Sequence, residues 1–279
     1  MTSIVRSLGL LVCASATACG AHAQERNDKV QLEASRDYLL GASVGSSRDP
    51  FGDSRRETRP GGIWAFQLGR FRFASSGASA LLYQGRETVD SGVSTVLARS
   101  DKFSLNTSLS LDEGRDWADE DDPRFDGLPK IRSTVRGRVT LGYALGKRWS
   151  SSFRASQDLL GHGGGLHLDA GLVYRHPVST QTHWDLAFGV GWGNGTYRQT
   201  HYGITSEGAA NSGLPAYAIG AGFDSVSIGW RITSALSQRW VGYAGIGVSQ
   251  LQGAVRYSPL TTHSTNTSAN FGIAYRNVR

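Results

Sequence analysis

The stretch Trp184-Asp185-Leu186-Ala187-Phe188-Gly189-Val190-Gly191-Trp192 alternates without a break. Trp184, Leu186, Phe188, Val190 and Trp192 fall on one face, and Asp185, Ala187, Gly189 and Gly191 fall on the other. Successive side chains of a strand point to opposite faces, so period-two patterning marks a strand with two unlike sides. The chemistry of the second side is the informative part. A soluble sandwich would carry Lys, Glu and Thr there, whereas this face is glycine, alanine and one aspartate. Small residues suit the crowded inside of a closed barrel. An aliphatic row with aromatics toward its ends suits a wall that meets lipid.

The same pattern recurs along the chain. Phe103, Leu105, Thr107, Leu109 and Leu111 interleave with Ser104, Asn106, Ser108 and Ser110. Val135, Val139, Leu141 and Tyr143 interleave with Arg136, Arg138, Thr140 and Gly142. Leu166, Leu168, Ala170, Leu172 and Tyr174 interleave with His167, Asp169, Gly171 and Arg175, and Val226, Ile228, Trp230 and Ile232 with Ser227, Gly229, Arg231 and Thr233. Each run approaches the ~9–11 residues that a tilted strand needs to cross a bilayer. The connections alternate in length. Short turns are expected at Ser75-Ser76-Gly77, Arg99 to Lys102, Gly146 to Arg148, Pro177 to His183 and Ser237 to Arg239. Long ones are expected at Ser46 to Gly61, Asp112 to Lys130, Asn194 to Pro215 and Gly253 to Thr265, with shorter ones near Gly85 to Ser91 and Leu160 to Gly164. Trp149, Trp184 and Trp240 each follow a short turn, which places an aromatic at one membrane interface. The expected fold is all-β: a transmembrane antiparallel up-and-down β-barrel of about twelve strands over residues 37–279, with both termini on the short-turn, periplasmic side.

The N-terminus reads as a cleaved secretory signal over residues 1–23. Arg6 supplies its charge, Leu8 to Ala18 its apolar stretch, and Ala21-His22-Ala23 its small-x-small site. A lipoprotein reading would use Cys19 instead. Residues 24–36 then form a polar periplasmic segment. Cys13 and Cys19 both lie in the signal, so the mature chain has neither a disulfide nor a cysteine metal site. The formal charge of +6 is modest and most basic residues are scattered, unlike the basic stripe of a nucleic-acid binder. The expected surroundings are outer-membrane lipids and lipopolysaccharide.

Charge gathers in the loops and on the inner face. Asp112, Glu113, Asp116 and Asp119 to Asp122 crowd one loop, and Arg48, Arg55, Arg56 and Arg59 another. The acidic loop reads as a solvated segment, alone or paired with the basic one, or as a collector of divalent cations through carboxylate oxygens. Inside, Arg136, Arg138, His167, Asp169, Arg175, Asp185 and Arg231 share the lumen-facing register. Gly41-Ala42-Ser43-Val44-Gly45 matches a nucleophile-elbow pattern and His162-Gly163-Gly164-Gly165 an oxyanion loop. Yet those glycines lie in the alternating run Tyr38, Leu40, Ala42, Val44, and the two motifs come in the wrong order. His167 and Asp169 lie two apart and so share the interior face, as do His183 and Asp185. A His–Asp pair with a serine could build a hydrolase, though buried polar pairs in barrels most often satisfy each other. His162, His167, His176 and His183 lack a compact metal-ligand spacing. No catalytic residue, cofactor or metal is expected.

Thr200 to Gly222 reads Thr-His-Tyr-Gly-Ile-Thr-Ser-Glu-Gly-Ala-Ala-Asn-Ser-Gly-Leu-Pro-Ala-Tyr-Ala-Ile-Gly-Ala-Gly, and Asp122 to Leu128 reads Asp-Pro-Arg-Phe-Asp-Gly-Leu. These resemble the MipA/OmpV family of outer-membrane proteins (MltA-interacting protein). Its members carry Tyr-Gly-Val/Ile-Thr followed by Ser-Gly-Leu-Pro-Ala-Tyr. The matching positions are Tyr202, Gly203 and Ile204, then Ser212, Gly213, Leu214, Pro215, Ala216 and Tyr217. The resemblance spans nearly all of the mature chain and implies a non-enzymatic barrel. Its best-known member is a scaffold joining a membrane-bound lytic transglycosylase to a peptidoglycan synthase. Other members are linked to osmotic or antimicrobial responses. The motif marks a loop, so no residue-level site comes with it. One departure is the C-terminus, where Asn277 stands in place of a closing aromatic. A channel for small, anionic solutes is the alternative reading, since the interior arginines would favour anions in an open lumen.

Overall fold

Alternation of the kind quoted above leaves each strand one route to satisfy its backbone in lipid, which is to pair on both edges until the sheet closes. The computed structural model describes residues 37–48, 51, 56–75, 78, 81, 91–116 and 123–277. They form a closed antiparallel barrel in which each strand neighbours the next in sequence. The strands are β1 (Tyr38–Arg48), β2 (Arg56–Leu68), β3 (Phe71–Ala74), β4 (Gly92–Arg99), β5 (Phe103–Asp112), β6 (Thr134–Ala144), β7 (Trp149–Asp158), β8 (Leu166–Pro177), β9 (Thr182–Gly193), β10 (Gly222–Ala235), β11 (Trp240–Leu251) and β12 (Thr265–Asn277). The seam joins β1 to β12 from Tyr38↔Asn277 to Ser47↔Ser268.

The two faces separate as the pattern requires. Leu109, Leu141, Phe153, Phe188, Ile228, Ile246 and Phe271 are exposed on the outside, forming an apolar belt. The inner face carries Ser108, Thr140, Ser156 and Thr233, all buried. At the short-turn end one side of the interior, around β1, β2, β3, β11 and β12, is apolar. Leu39, Ile63, Ala65, Ala74, Val241 and Ala274 pack with Ala78 and Leu81, whose connection between β3 and β4 is thereby anchored inside the barrel.

The structure corrects several expected boundaries. The second hairpin turns at Gly69 and Arg70, where Leu68 pairs with Phe71, and not at Ser75-Ser76-Gly77. Gly69 takes the left-handed backbone (φ 58°) that a two-residue hairpin favours. The outward row Trp64, Phe66, Leu68 therefore continues across the turn into Phe71 and Phe73. Ser75 caps this short strand instead, its hydroxyl accepting from the Trp64 amide at 3.0 Å. Residues 76–77 lie outside the described set, as do 85–90 of the connection expected near Gly85 to Ser91. The first long connection shrinks, because β1 and β2 stay paired out to Arg48↔Arg56. β6 starts at Thr134 and β10 only at Gly222, because the residues before each fold back over the barrel mouth.

Candidate functional site: the cap and the polar chain beneath it

At the long-loop end, two short helices close over the barrel. Helix α1 (Gly195–Tyr202) starts where the Asn194 side chain accepts from the Tyr197 amide. The same Asn194 oxygen accepts from Leu166 N at 3.1 Å, which ties the helix start to β8. Helix α2 (Ser206–Ser212) is capped by the Thr205 side chain, which accepts from Gly208 N at 3.0 Å. A cap of this sort satisfies an amide that the first helical turn leaves free.

The nine family-motif residues build this cap. Gly203 ends α1, and its amide donates to Gln199 O at 2.9 Å. Ile204 and Tyr217 exchange backbone hydrogen bonds across the lobe between them. Ser212 donates to Gly208 O at 2.7 Å, and Gly213 closes α2. Leu214 packs against the apolar cluster, while Pro215 and Ala216 are exposed. The Tyr217 hydroxyl donates to Ala254 O at 2.7 Å, and Tyr202 O accepts from the Ser258 hydroxyl at 2.6 Å. The lobe sits on Phe51, Phe125, Ile131 and Leu260, which come from three other loops. A cavity of about 220 Å³ remains between the cap and the mouth, with an apolar floor of Ile204 and Leu260 and with Lys130, Arg132 and His162 among its lining.

Beneath α1 runs a chain of polar side chains. Arg136, 6% exposed, donates from Nε to Asp112 Oδ2 at 2.6 Å and from Nη2 to Gly164 O at 3.1 Å. Its Nη2 also lies 3.4 Å from His201 Nε2, and its guanidinium stands 5.5 Å from the Tyr197 ring centre. The rings of Tyr197 and His201, four residues apart on one helix face, are 4.5 Å apart, and Tyr197 is 4.6 Å from His167. His167 ends the chain between Asp169 (Nδ1 to Oδ2, 3.3 Å) and Asp224 (Nε2 to Oδ2, 3.0 Å). Both imidazole nitrogens thus face carboxylates, so neither is placed to take a proton from a serine. Burial, with Arg136 next in importance, holds the His201 imidazole down to about 4. Burial pushes the Tyr197 phenol up.

The other inner-face residues pair separately. Arg175 forms a two-pronged bond with Asp185, 2.7 and 2.8 Å, and His183 lies 3.7 Å from the same carboxylate. Arg154 stands opposite Asp169 at 4.0 Å, and Arg138 lies in register with Ser108 and Ser156. Arg231 faces the Tyr243 ring at 5.5 Å. In the acidic loop, Asp112 and Asp116 bind Arg136 and Lys130, while Asp119 to Asp122 lie outside the described residues. In the basic connection, Arg56 bonds Thr267 and Arg59 bonds Glu57, while Arg55 lies outside the described residues.

Sequence reading missed Asp224, Tyr197, Arg198 and His201. Strict alternation places Asp224 outside with Val226. A bulge between Phe223 and Ser225 turns it inward, where it is 2% exposed. Arg198 is buried and donates to Gly220 O at 2.7 Å. The i, i+4 spacing of Tyr197 and His201 was the available signal, but it is legible only once the segment is known to be helical.

Among solved structures, the chain is similar to a NanC porin (10% identity, 85% of this chain and 98% of that one, TM-score 0.43). It is also similar to an outer membrane channel from Pseudomonas putida F1 (13% identity, 91% and 100%, TM-score 0.41). A loop-deletion mutant of OmpT, an outer membrane protein of Vibrio cholerae, matches at 9% identity over 88% and 100%, with a TM-score of 0.39. No curated protein sequence matches the chain. The model of the family described as MltA-interacting protein MipA matches residues 40–277, from the first strand through the last. With its lipid-facing belt and its motif-built cap, the chain belongs to the MipA family of outer-membrane barrels.

Proposed function

We propose that this barrel is a non-enzymatic anchor that holds murein-processing enzymes, a lytic transglycosylase and through it a peptidoglycan synthase, at the inner face of the outer membrane. The observation that carries the reading is the family match, whose description names a transglycosylase partner. Side chains packed inside part of one end and the lobe folded on the loops at the other support it. A barrel packed at both ends would act through its faces rather than through its lumen. We take the short-turn end, where Tyr38 pairs with Asn277, as the periplasmic one, since short turns face the periplasm in outer-membrane barrels. Short turns alone offer little area against the ~800 Å² per partner of a specific interface. The polar segment Gln24 to Arg36, outside the described residues, supplies the additional surface. Purified full-length protein is expected to capture a purified lytic transglycosylase in detergent, and capture is expected to weaken when residues 24–36 are deleted. Absence of capture by the intact protein sinks the anchor reading.

A second reading, a channel for small anions, draws on Arg231, whose guanidinium lies 5.5 Å from the Tyr243 ring centre and which stands across from Asp185 on the neighbouring strand. Planar-bilayer conductance separates the two. Discrete steps whose selectivity changes in Arg231→Ala favour the channel, and a folded barrel that passes no current favours the anchor.

A further inference from the structure

The short-turn rim carries the same cross-strand arrangement twice. On β7 and β8, Trp149 stands directly opposite Tyr174, and their rings are 5.0 Å apart. Arg148 donates from Nη1 to the Tyr174 hydroxyl at 3.2 Å, and the Arg175 amide donates to Arg148 O at 2.8 Å. On β11 and β12, Trp240 stands opposite Tyr275 with rings 5.5 Å apart. Arg239 donates from Nη1 to the Tyr275 hydroxyl at 3.2 Å, and the Arg276 amide donates to Arg239 O at 2.7 Å. The chain therefore writes Arg-Trp on one strand and Tyr-Arg on its partner in two separate hairpins. A reduced copy, Lys102-Phe103 opposite Tyr143-Ala144, repeats the backbone bond (Ala144 N to Lys102 O, 2.7 Å) with Asp101 beside the lysine.

We propose that the two complete copies bind glycerophospholipid headgroups of the adjoining leaflet, each arginine taking the lipid phosphate. Trp149 and Trp240 belong to the outward row and are 40% and 44% exposed, so their indoles lie against the hydrocarbon boundary. The guanidiniums beside them are exposed, and among the described residues neither has a carboxylate partner. Each is steadied by a neutral phenol, which leaves its charge uncompensated and most of its N–H donors free. A planar guanidinium with free donors matches phosphate oxygens two at a time. A lipid fits both halves of the arrangement, chain against indole and phosphate against guanidinium. An acidic protein would engage the cation alone.

Native mass spectrometry of the full-length folded protein with phosphatidylglycerol tests this. Two lipids are expected to stay bound preferentially over phosphatidylcholine, and retained adducts are expected to fall at least fivefold in R148Q/R239Q. K147Q changes a basic residue in the same turn that lies outside the arrangement, and it is expected to keep them. If R148Q/R239Q fails to fold, Y174F/Y275F removes the phenol that orients each guanidinium and is expected to lower retention severalfold. Equal retention by the folded variants, or an equal loss in K147Q, overturns the proposal. Displacement of the lipids by millimolar inorganic phosphate also overturns it and makes the site one for free anions.

Discussion

Ile204 and Tyr217 donate to each other's carbonyl at 2.9 Å, which closes the segment between them into a lobe. Ile204, 3% exposed, is also the residue by which the lobe rests on Phe125 and Leu260. The segment that carries the family resemblance is thus folded into a lobe that packs on the loops at the barrel mouth.

Truncating that anchor should loosen the cap and leave the wall intact. Removing most of a buried isoleucine costs about 2–5 kcal/mol. Ile204→Ala is expected to raise amide exchange across residues 195–217 by ~30-fold or more, since about 2 kcal/mol is roughly that factor. Strand amides should be unchanged. Exchange that rises equally in β6 and β8 would mean that cap and wall are a single cooperative unit.

Arg136 links the wall to the cap, so its loss should be felt by both. Arg136→Met leaves Asp112 and the Gly164 carbonyl without their buried donor. Breaking such a pair from one side costs about 3 kcal/mol, whereas removing both charges often restores stability. Denaturant unfolding in detergent should show the loss in Arg136→Met and a partial recovery in Arg136→Met/Asp112→Leu. No recovery would assign the loss to packing rather than to a stranded charge.

His201 makes the seating of the cap sensitive to acid. Its folded value of about 4 lies below the ~6.5 of an unfolded histidine, so between those values the unseated state binds more protons. Arg136 and Arg115 disfavour its protonation, and Asp112 opposes them. Seating is therefore fully stable above pH ~6.5 and weakens as pH falls toward 4. Exchange across 195–217 should rise between pH 7.5 and 5 in the native protein, and the rise should shrink in His201→Gln.

Closure of the barrel depends on close approach at Gly41. A Cβ there would come within 2.3 Å of Ile273 O and 2.6 Å of Ala274 Cα, whereas one at Gly45 would meet nothing within 4 Å. Gly41→Val should lose the heat-modifiable mobility of a folded barrel on electrophoresis, while Gly45→Ala should keep it.

The wall was legible because period-two patterning is a local property, visible in Trp184–Trp192 without any partner strand. Boundaries were less legible where pairing decides them. Nothing local shows that Leu68 pairs with Phe71 or that β1 and β2 stay joined out to Arg56. The cap residues were visible as a motif but not as a structure, since Ile204 becomes buried only against Phe51, Phe125, Ile131 and Leu260. Asp224 escaped because one inserted residue reverses the face of everything before it, and no residue type announces that bulge.

The pairing of Tyr38 with Asn277 carries a kinetic consequence. Contacts between distant parts of a chain form slowly, because the loop they close must be ordered before they reward it. Here the closing contact joins the first strand to the last, so no intermediate lacking β12 can have all its edges satisfied. Until Thr265–Asn277 docks, β1 and β11 each present an open row of amides and carbonyls to the membrane. Docking of β12 against both neighbours is therefore the commitment step of assembly.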